Sequence, residues 1–511
     1  MNMNGKYMLR LEELFGELVK ENYDRDFVRT CVLEVFVFKY VHDYYYAKYN
    51  AYVKQFEKSK NAKEWVERKM SRERFVLTSE YDYEGLFNYK GNNDLGKEIN
   101  NRITELAARN KENLDGLFDT DFQTPKITTN VSSNWQNILH KIVTCFRRIQ
   151  LAGTNGEESD AYKVYKTILF YWPLTNSYEG AEYHFAPVAL QELLIKLTSP
   201  QAGDRIYDPC CNIGSLLAAA GASVLDRDNN SLPGFSLYGQ TSFPEWARLS
   251  KILMLIQEID DAQITIGDPI NDPILGKDKK LLTYEVLISN LPWNIQDWKF
   301  ANARADSYNR FRLGTPPDGK GDLAYIQHLI ACSSDEGRIA VIIPNGVLFR
   351  EGREYYIRRN IVENNLLEAV IGLPSNLFYS TKQSYAIMVF RKNKGENKNV
   401  LFVDASLHYH AGKRQNTLQE EDTARITDTY RLFQRNPAAM KTDYSSIVTP
   451  GQIEENDFAF TVSRYVNNAP ANKKDISSED LITDIKALEK ELAEIRNGIN
   501  QNLQKLDQFK S

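Results

Sequence analysis

The stretch Tyr284-Glu-Val-Leu-Ile-Ser-Asn-Leu-Pro-Trp-Asn294 holds the residue types best suited to chemistry. An apolar run, Val286 to Ile288, leads to a polar Asn290, then Leu291, Pro292 and an aromatic, Trp293. Short continuous apolar runs mark strands buried on both faces, and ligands in open α/β sheets collect at the carboxyl ends of such strands. These four residues are therefore expected at a strand tip that faces a crevice. There the Asn290 amide oxygen and the carbonyl preceding Pro292 could accept both N–H bonds of an exocyclic amine. That would localise the nitrogen lone pair, which conjugation otherwise makes a poor nucleophile. The Trp293 ring could stack on a base taken out of its helix. Asn and Pro are also ordinary strand-ending turn residues, so four residues alone do not decide between chemistry and a turn.

The elements that must position this tip come from the rest of the chain. Residues 7 to about 165 read as mainly helical, with Leu9, Leu11, Leu14, Phe15 and Leu18 at helical spacing and an aromatic-rich segment from Val28 to Tyr46. An aromatic stripe of this kind is read as core. Asn92 to Asn100 is polar and reads as a loop. From Tyr183 strands alternate with helices: strands end at Asp208, Gly239, Gly267, Asn290 and Pro344, and Leu367 to Gly372 and Tyr385 to Arg391 add two more. Such alternation predicts an α/β fold with a doubly wound, mostly parallel sheet, preceded by a helical domain. After about residue 440 the chain is expected to leave the sheet.

Composition narrows the function classes. The 511 residues carry a net charge of −5, so contact with a polyanion would need a local patch or a basic partner. Five cysteines without C-x₂-C spacing fit a reducing cytoplasm, with neither a disulfide framework nor a zinc site. No apolar run of about 18 residues is present to span a membrane. Gly314-Thr-Pro-Pro-Asp-Gly-Lys-Gly321 has the Gly and Lys spacing of a phosphate-binding loop. However, it lacks the Ser or Thr that would bind Mg²⁺ and has no strand before it, so it reads as a surface loop. The six histidines lack metal-ligand spacing, and His184 and His328 read as structural.

Asn290-Leu-Pro-Trp293 resembles the catalytic tetrapeptide of the amino-methyltransferases, which methylate exocyclic nitrogens of adenine or cytosine. Leu291 stands where the usual DNA-acting form has Pro, as it does in ribosomal-RNA adenine dimethyltransferases. The resemblance widens along the chain. Gly203-Asp-Arg-Ile-Tyr-Asp-Pro209, Asp322-Leu-Ala-Tyr-Ile-Gln-His328, Gly346-Val-Leu-Phe-Arg-Glu-Gly352 and Ala369-Val-Ile-Gly-Leu-Pro-Ser-Asn-Leu-Phe-Tyr379 resemble phrases of the modification subunit of type I restriction–modification systems. So do Asp404-Ala-Ser406 and Gly412-Lys-Arg-Gln-Asn416. The resemblance covers roughly residues 180 to 470. It implies a Rossmann-like domain over 166–440 that transfers methyl from S-adenosylmethionine to adenine N6, a helical domain over 1–165, and a C-terminal segment over 441–511. The implied partners are a specificity subunit, a second copy of the chain, a restriction subunit in some complexes, and double-stranded DNA with a flipped adenine.

The resemblance also implies the cofactor residues: Phe185, Ala186 and Pro187 before the first strand, Asp208, Asn212, Gly214 and Ser215 in the turn after it, Gln240 and Thr241 at the end of the second, and Asp268 after the third. Four of these, at three places in the chain, depart from the family's pattern. Asn212 replaces the first glycine of Asp-Pro-x-x-Gly-x-Gly-Gly, and Ser215 the last; Asn is the non-glycine residue that best tolerates positive φ. Ala186 replaces a Thr. Thr241 replaces a Glu whose carboxylate binds both ribose hydroxyls, and Glu245 could substitute only if the following helix start folds back. Two readings therefore stand: a working adenine-N6 methyltransferase with a modified pocket, or a non-catalytic scaffold that clamps DNA. In the tail, Leu481, Ile485, Leu488, Leu492, Ile495, Ile499, Leu506 and Phe509 alternate at three and four, with Asn502 on the seam. That predicts a coiled-coil-like helix over 477–509, which the resemblance would pack on the specificity subunit.

Overall fold

The computed structural model describes residues 3–20, 23–88, 95–126, 135–152, 159–171, 186–227, 234–292, 295, 298, 306–378, 381–413, 415–437 and 443–466. Among the described residues the N-terminal region holds the helices α1 (Met3–Leu18), α2 (Arg25–Phe56), α3 (Ala62–Met70), α4 (Leu95–Arg109), α5 (Lys111–Leu114), α6 (Trp135–Arg147) and α7 (Asp160–Tyr171). The Asp24 carboxylate caps α2 by accepting the Phe27 N–H at 2.8 Å. The aromatic stripe of α2 is core, with Phe36 and Phe38 fully buried and Tyr40 nearly so. The expected loop at 92–100 instead runs into α4, where Leu95, Ile99, Ile103 and Leu106 are buried at helical spacing. Its intervening Asn and Lys residues had masked that period.

A nine-stranded sheet follows, with order β3-β2-β1-β4-β5-β7-β6-β8-β9. The strands are β1 (Arg205–Asp208), β2 (Ser236–Thr241), β3 (Ala262–Ile266), β4 (Tyr284–Asn290), β5 (Ser333–Pro344), β6 (Leu367–Gly372), β7 (Tyr385–Arg391), β8 (Val400–Asp404) and β9 (Ser445–Val448). The first five run parallel, and β7 inserts antiparallel between β5 and β6. The sheet does not end near residue 440 as expected: β9 pairs antiparallel with β8 through Val400↔Val448.

Both faces are covered, which is why the strand sequences read as unbroken apolar runs. Helices α8 (Val188–Thr198), α9 (Ser215–Arg227) and α10 (Pro244–Ile256) pack on one face. There Ile206, Val286, Ile288, Ala340 and Ile342 share a core with the N-terminal helices. Helices α11 (Asp322–Cys332) and α12 (Arg353–Glu363) cover the other face over Tyr207, Leu287, Ile339 and Val341. Helix α10 is tied to the N-terminal region by polar bonds. Tyr165 Oη donates to Leu249 O at 3.2 Å and Arg74 Nη1 to Leu255 O at 2.7 Å.

The loop at 314–321 is only partly a surface loop. Its tip is exposed, but Gly321 is buried, and a Cβ there would lie 2.7 Å from Trp298 Cβ. The Trp298 Nε1 donates to Pro317 O at 2.8 Å. Among the described residues no helix is long and apolar enough to cross a membrane, and no group of three or more His, Cys, Asp or Glu could hold a metal ion.

Candidate active site at the carboxyl edge of the sheet

The strand order reverses between β1 and β4, so the carboxyl ends of these two neighbours open a crevice. Both sequence-derived motifs arrive there. Asp208 ends β1 and Asn290 ends β4. They are joined one residue before the tip: Ser289 Oγ donates to Asp208 Oδ1 at 2.6 Å, and the Cys210 N–H donates to the same oxygen at 2.9 Å. Asp208 is 2 % exposed, and burial pushes its carboxyl up to about 7 against the pull of those two donors. Asn290 is 8 % exposed. The Leu291 side chain is buried in the second core, while Pro292 is exposed. Trp293 and Phe185 lie outside the described residues.

The turn between β1 and α9 adopts the shape that glycines would give. Asn212 has φ 51° and Gly214 φ 77°. The Asn212 carbonyl accepts Ser250 Oγ at 2.8 Å, and the Gly214 N–H donates to Cys211 O at 2.7 Å. A Cβ on Gly214 would come within 3.1 Å of both Ser250 and Met254, so φ and space together require glycine there. Ser215 opens α9, and Gln191 Nε2 bridges it to the preceding segment, at 3.5 Å from Ser215 Oγ and 2.8 Å from Ala186 O. Pro187 lines a cleft of about 580 Å³ with Leu377 and Asn416. The Asn416 N–H donates to Asn376 O at 2.8 Å, so two separate phrases of the family resemblance meet beside this segment. Burial pushes the Cys210 and Cys211 thiols well above their ordinary range, which disfavours the thiolate that nucleophilic chemistry would need.

On the other side, the Thr241 carbonyl accepts the Gly267 N–H at 2.9 Å, which sets the loop carrying Asp268 beside the end of β2. Asp268 Oδ1 accepts the Ile270 and Asn271 N–H groups, each at 2.8 Å, and Tyr325 Oη donates to its Oδ2 at 3.4 Å. One expectation needs correction, and one condition left open by the sequence is answered. Gln240 has no exposed surface; its Oε1 accepts Tyr207 Oη at 3.0 Å and its Nε2 donates to Asp272 O at 2.6 Å, so both ends of its amide are engaged within the protein rather than presented to the crevice. Glu245 does not fold back towards the ribose position, because it is ion-paired with Arg29 of α2 and lines a cleft facing the N-terminal helices. Ser289 and Tyr325 were missed. A serine inside an apolar run carries no signal of its own, whereas Tyr325 sits in the Asp322–His328 phrase.

The N-6 DNA methylase pattern matches residues 159–474, more than half of the chain. The chain belongs to the N-6 DNA methylase family. Relatives of this methylase include the type I restriction enzyme MpnII methylase subunit of Mycoplasma pneumoniae, 29% identical over 428 residues that make up 80% of this chain and 75% of the relative. The HindI methylase subunit of Haemophilus influenzae is 28% identical over 63% of this chain and 72% of its own length. Among solved structures, the type I restriction-modification methyltransferase subunit of Streptococcus thermophilus superposes with a TM-score of 0.74, covering 91% of this chain and 100% of that one. At 18% identity that likeness shows the methyltransferase fold alone. Membership in this family makes S-adenosylmethionine the expected methyl donor.

The buried Asp208 gives this N-6 methylase a pH signature. Its unfolded carboxyl titrates near 3.9, so between about pH 4 and 7 the folded chain keeps a proton that the unfolded chain has lost. Stability therefore falls as pH rises through that window, by up to about 1.4 kcal/mol per unit. Asp208→Asn keeps the acceptor for Ser289 and Cys210 but does not titrate. The expected outcome is a wild-type stability that declines relative to the variant across this window in thermal unfolding. A difference independent of pH would contradict the buried, protonated carboxyl.

Proposed function

We propose that this chain transfers the methyl group of S-adenosylmethionine to N6 of adenine in DNA, as the modification subunit of a type I restriction–modification complex. One observation carries the reading: the Ser289–Asp208 hydrogen bond fastens the Asn290 tip to the cofactor turn across the point where the strand order reverses. In this reading Asn212, Gly214 and Ser215 cradle the methionine end with Ala186 and Pro187, and Asp268 takes the adenine side. S-adenosylmethionine supplies the methyl group. Asn290 Oδ1 and the Leu291 carbonyl accept the N6 protons of a flipped adenine, with Pro292 and Trp293 completing its pocket. The residues fit such a cofactor: the turn holds the left-handed conformations at Asn212 and Gly214 that let backbone approach it closely. A scaffold with a decayed pocket would not need that geometry.

Sequence choice is assigned to a specificity subunit, with two copies of this chain closing on the duplex and a restriction subunit as the further component. The 477–509 seam is the proposed contact with the specificity subunit. Deleting residues 477–511 is therefore expected to leave cofactor binding unchanged while the specificity subunit no longer co-purifies. Undiminished co-purification would remove the tail from the interface. The reading as a whole is tested by methylation of adenine in duplex DNA by the chain and its specificity subunit.

A further inference from the structure

Arg310 lies between the Asn290 tip and α11 in the chain, yet it is only 5 % exposed. Its charge is matched by Asp306, also buried, with Nε donating to Oδ1 at 2.9 Å. The rest of the guanidinium grips the loop that presents Asp268: Nη1 donates to Pro269 O at 3.0 Å and Nη2 to Ile270 O at 2.7 Å. Nη1 also donates to His328 Nδ1, 3.3 Å away.

From there a chain of donors returns to the same loop. With Nδ1 accepting from Arg310, the imidazole proton is on Nε2, 3.1 Å from Tyr207 Oη. Tyr207 donates to Gln240, and Gln240 donates to Asp272 O. Arg310, His328, Tyr207, Gln240 and the 267–272 loop thus close a ring through β1, β2 and α11: one arm of donors runs from Arg310 through His328, Tyr207 and Gln240 to Asp272 O, and the other runs directly from Arg310 to the Pro269 and Ile270 carbonyls. The ring needs a neutral His328, and burial beside Arg310 lowers its pKa to about 3. Gly267 lets the loop close on it, since a Cβ there would be 3.2 Å from Gln240 Nε2.

We propose that Arg310 is a positioning residue for the cofactor: through this ring it fixes the loop carrying Asp268 and ties that loop to the chain returning from the target-binding tip. The inference rests on the methyltransferase reading above. A guanidinium is needed because only its planar fork can span two carbonyls, a carboxylate and an imidazole at once.

The test uses the full-length chain with S-adenosylmethionine and S-adenosylhomocysteine. Arg310→Lys keeps a cation opposite Asp306 but cannot span the two carbonyls. It is expected to weaken the binding of both molecules about tenfold or more. It should also speed hydrogen exchange at the Ile270, Asn271 and Asp272 amides while the β5–β7 ladder exchanges as in the wild type. With DNA and the specificity subunit, KM for the cofactor should rise more than kcat falls. Tyr207→Phe opens the ring on its far side without removing a ring from the core, and should show the same exchange pattern with a smaller loss of affinity. Unchanged affinity and loop exchange in both variants would overturn the role of Arg310, as would faster exchange throughout the sheet, the mark of a merely structural residue. A wild-type chain that binds neither molecule would instead overturn the cofactor reading itself, and with it any positioning role.

Discussion

Replacing Asn290 with alanine should lower single-turnover methyl transfer by about 10²–10³, the usual loss for one positioned polar group, while leaving S-adenosylmethionine affinity unchanged. The separation follows from position. Asn290 ends β4, and the Ser289–Asp208 bond that braces the cofactor turn lies one residue earlier and survives the substitution. The amide oxygen acts on the target amine, whose nitrogen must become more nucleophilic as the methyl group approaches, so its loss is felt in the chemical step. Calorimetric cofactor binding and a rapid-quench methylation assay on one preparation would separate the two effects. Parallel losses in binding and transfer would place Asn290 in the cofactor pocket instead.

The second large effect is a gain. Thr241→Glu should tighten S-adenosylmethionine binding roughly ten- to a hundred-fold, because a hydrogen bond to a charged acceptor is worth ~1.5–3 kcal/mol against ~0.5–1.5 for a neutral one. Thr241 stands where the family resemblance places a carboxylate for the ribose hydroxyls, and its Oγ1 accepts a long 3.4 Å bond from the Phe243 N–H. Glu245 does not make up the loss, since Arg29 holds it on the side of the N-terminal helices. Titration of both proteins with S-adenosylmethionine measures the gain. An unchanged or weaker affinity for the glutamate variant would show that ribose is held elsewhere.

Much of this architecture was legible because the parallel strands are buried on both faces, so Val286–Ile288 and Ala340–Ile343 needed no polar alternation to declare themselves. The antiparallel insertion of β7 was not legible, since strand direction leaves no mark on an apolar run. Strands β8 and β9 were both missed: Val400-Leu-Phe-Val403 is an apolar run of only four residues, and Ser-Ser-Ile-Val is short, half polar and at the sheet edge, where nothing forces an apolar pattern. At the site, the positive φ of Asn212 follows from its residue type and the turn it replaces. The burial of Gln240 does not. A glutamine at a strand end looks like a ligand group, and only Tyr207 on the neighbouring strand and the backbone of Asp272 show that both ends of its amide are already used. The pairing of Glu245 with Arg29 joins residues 216 positions apart, a distance at which local pattern carries no information.

The most direct test of the account is transfer of labelled methyl from S-adenosylmethionine to duplex DNA by the full chain assembled with its specificity subunit, with the modified base identified. The account predicts N6-methyladenine that depends on both the cofactor and Asn290. No cofactor binding at millimolar concentration together with no methylated adenine would contradict it.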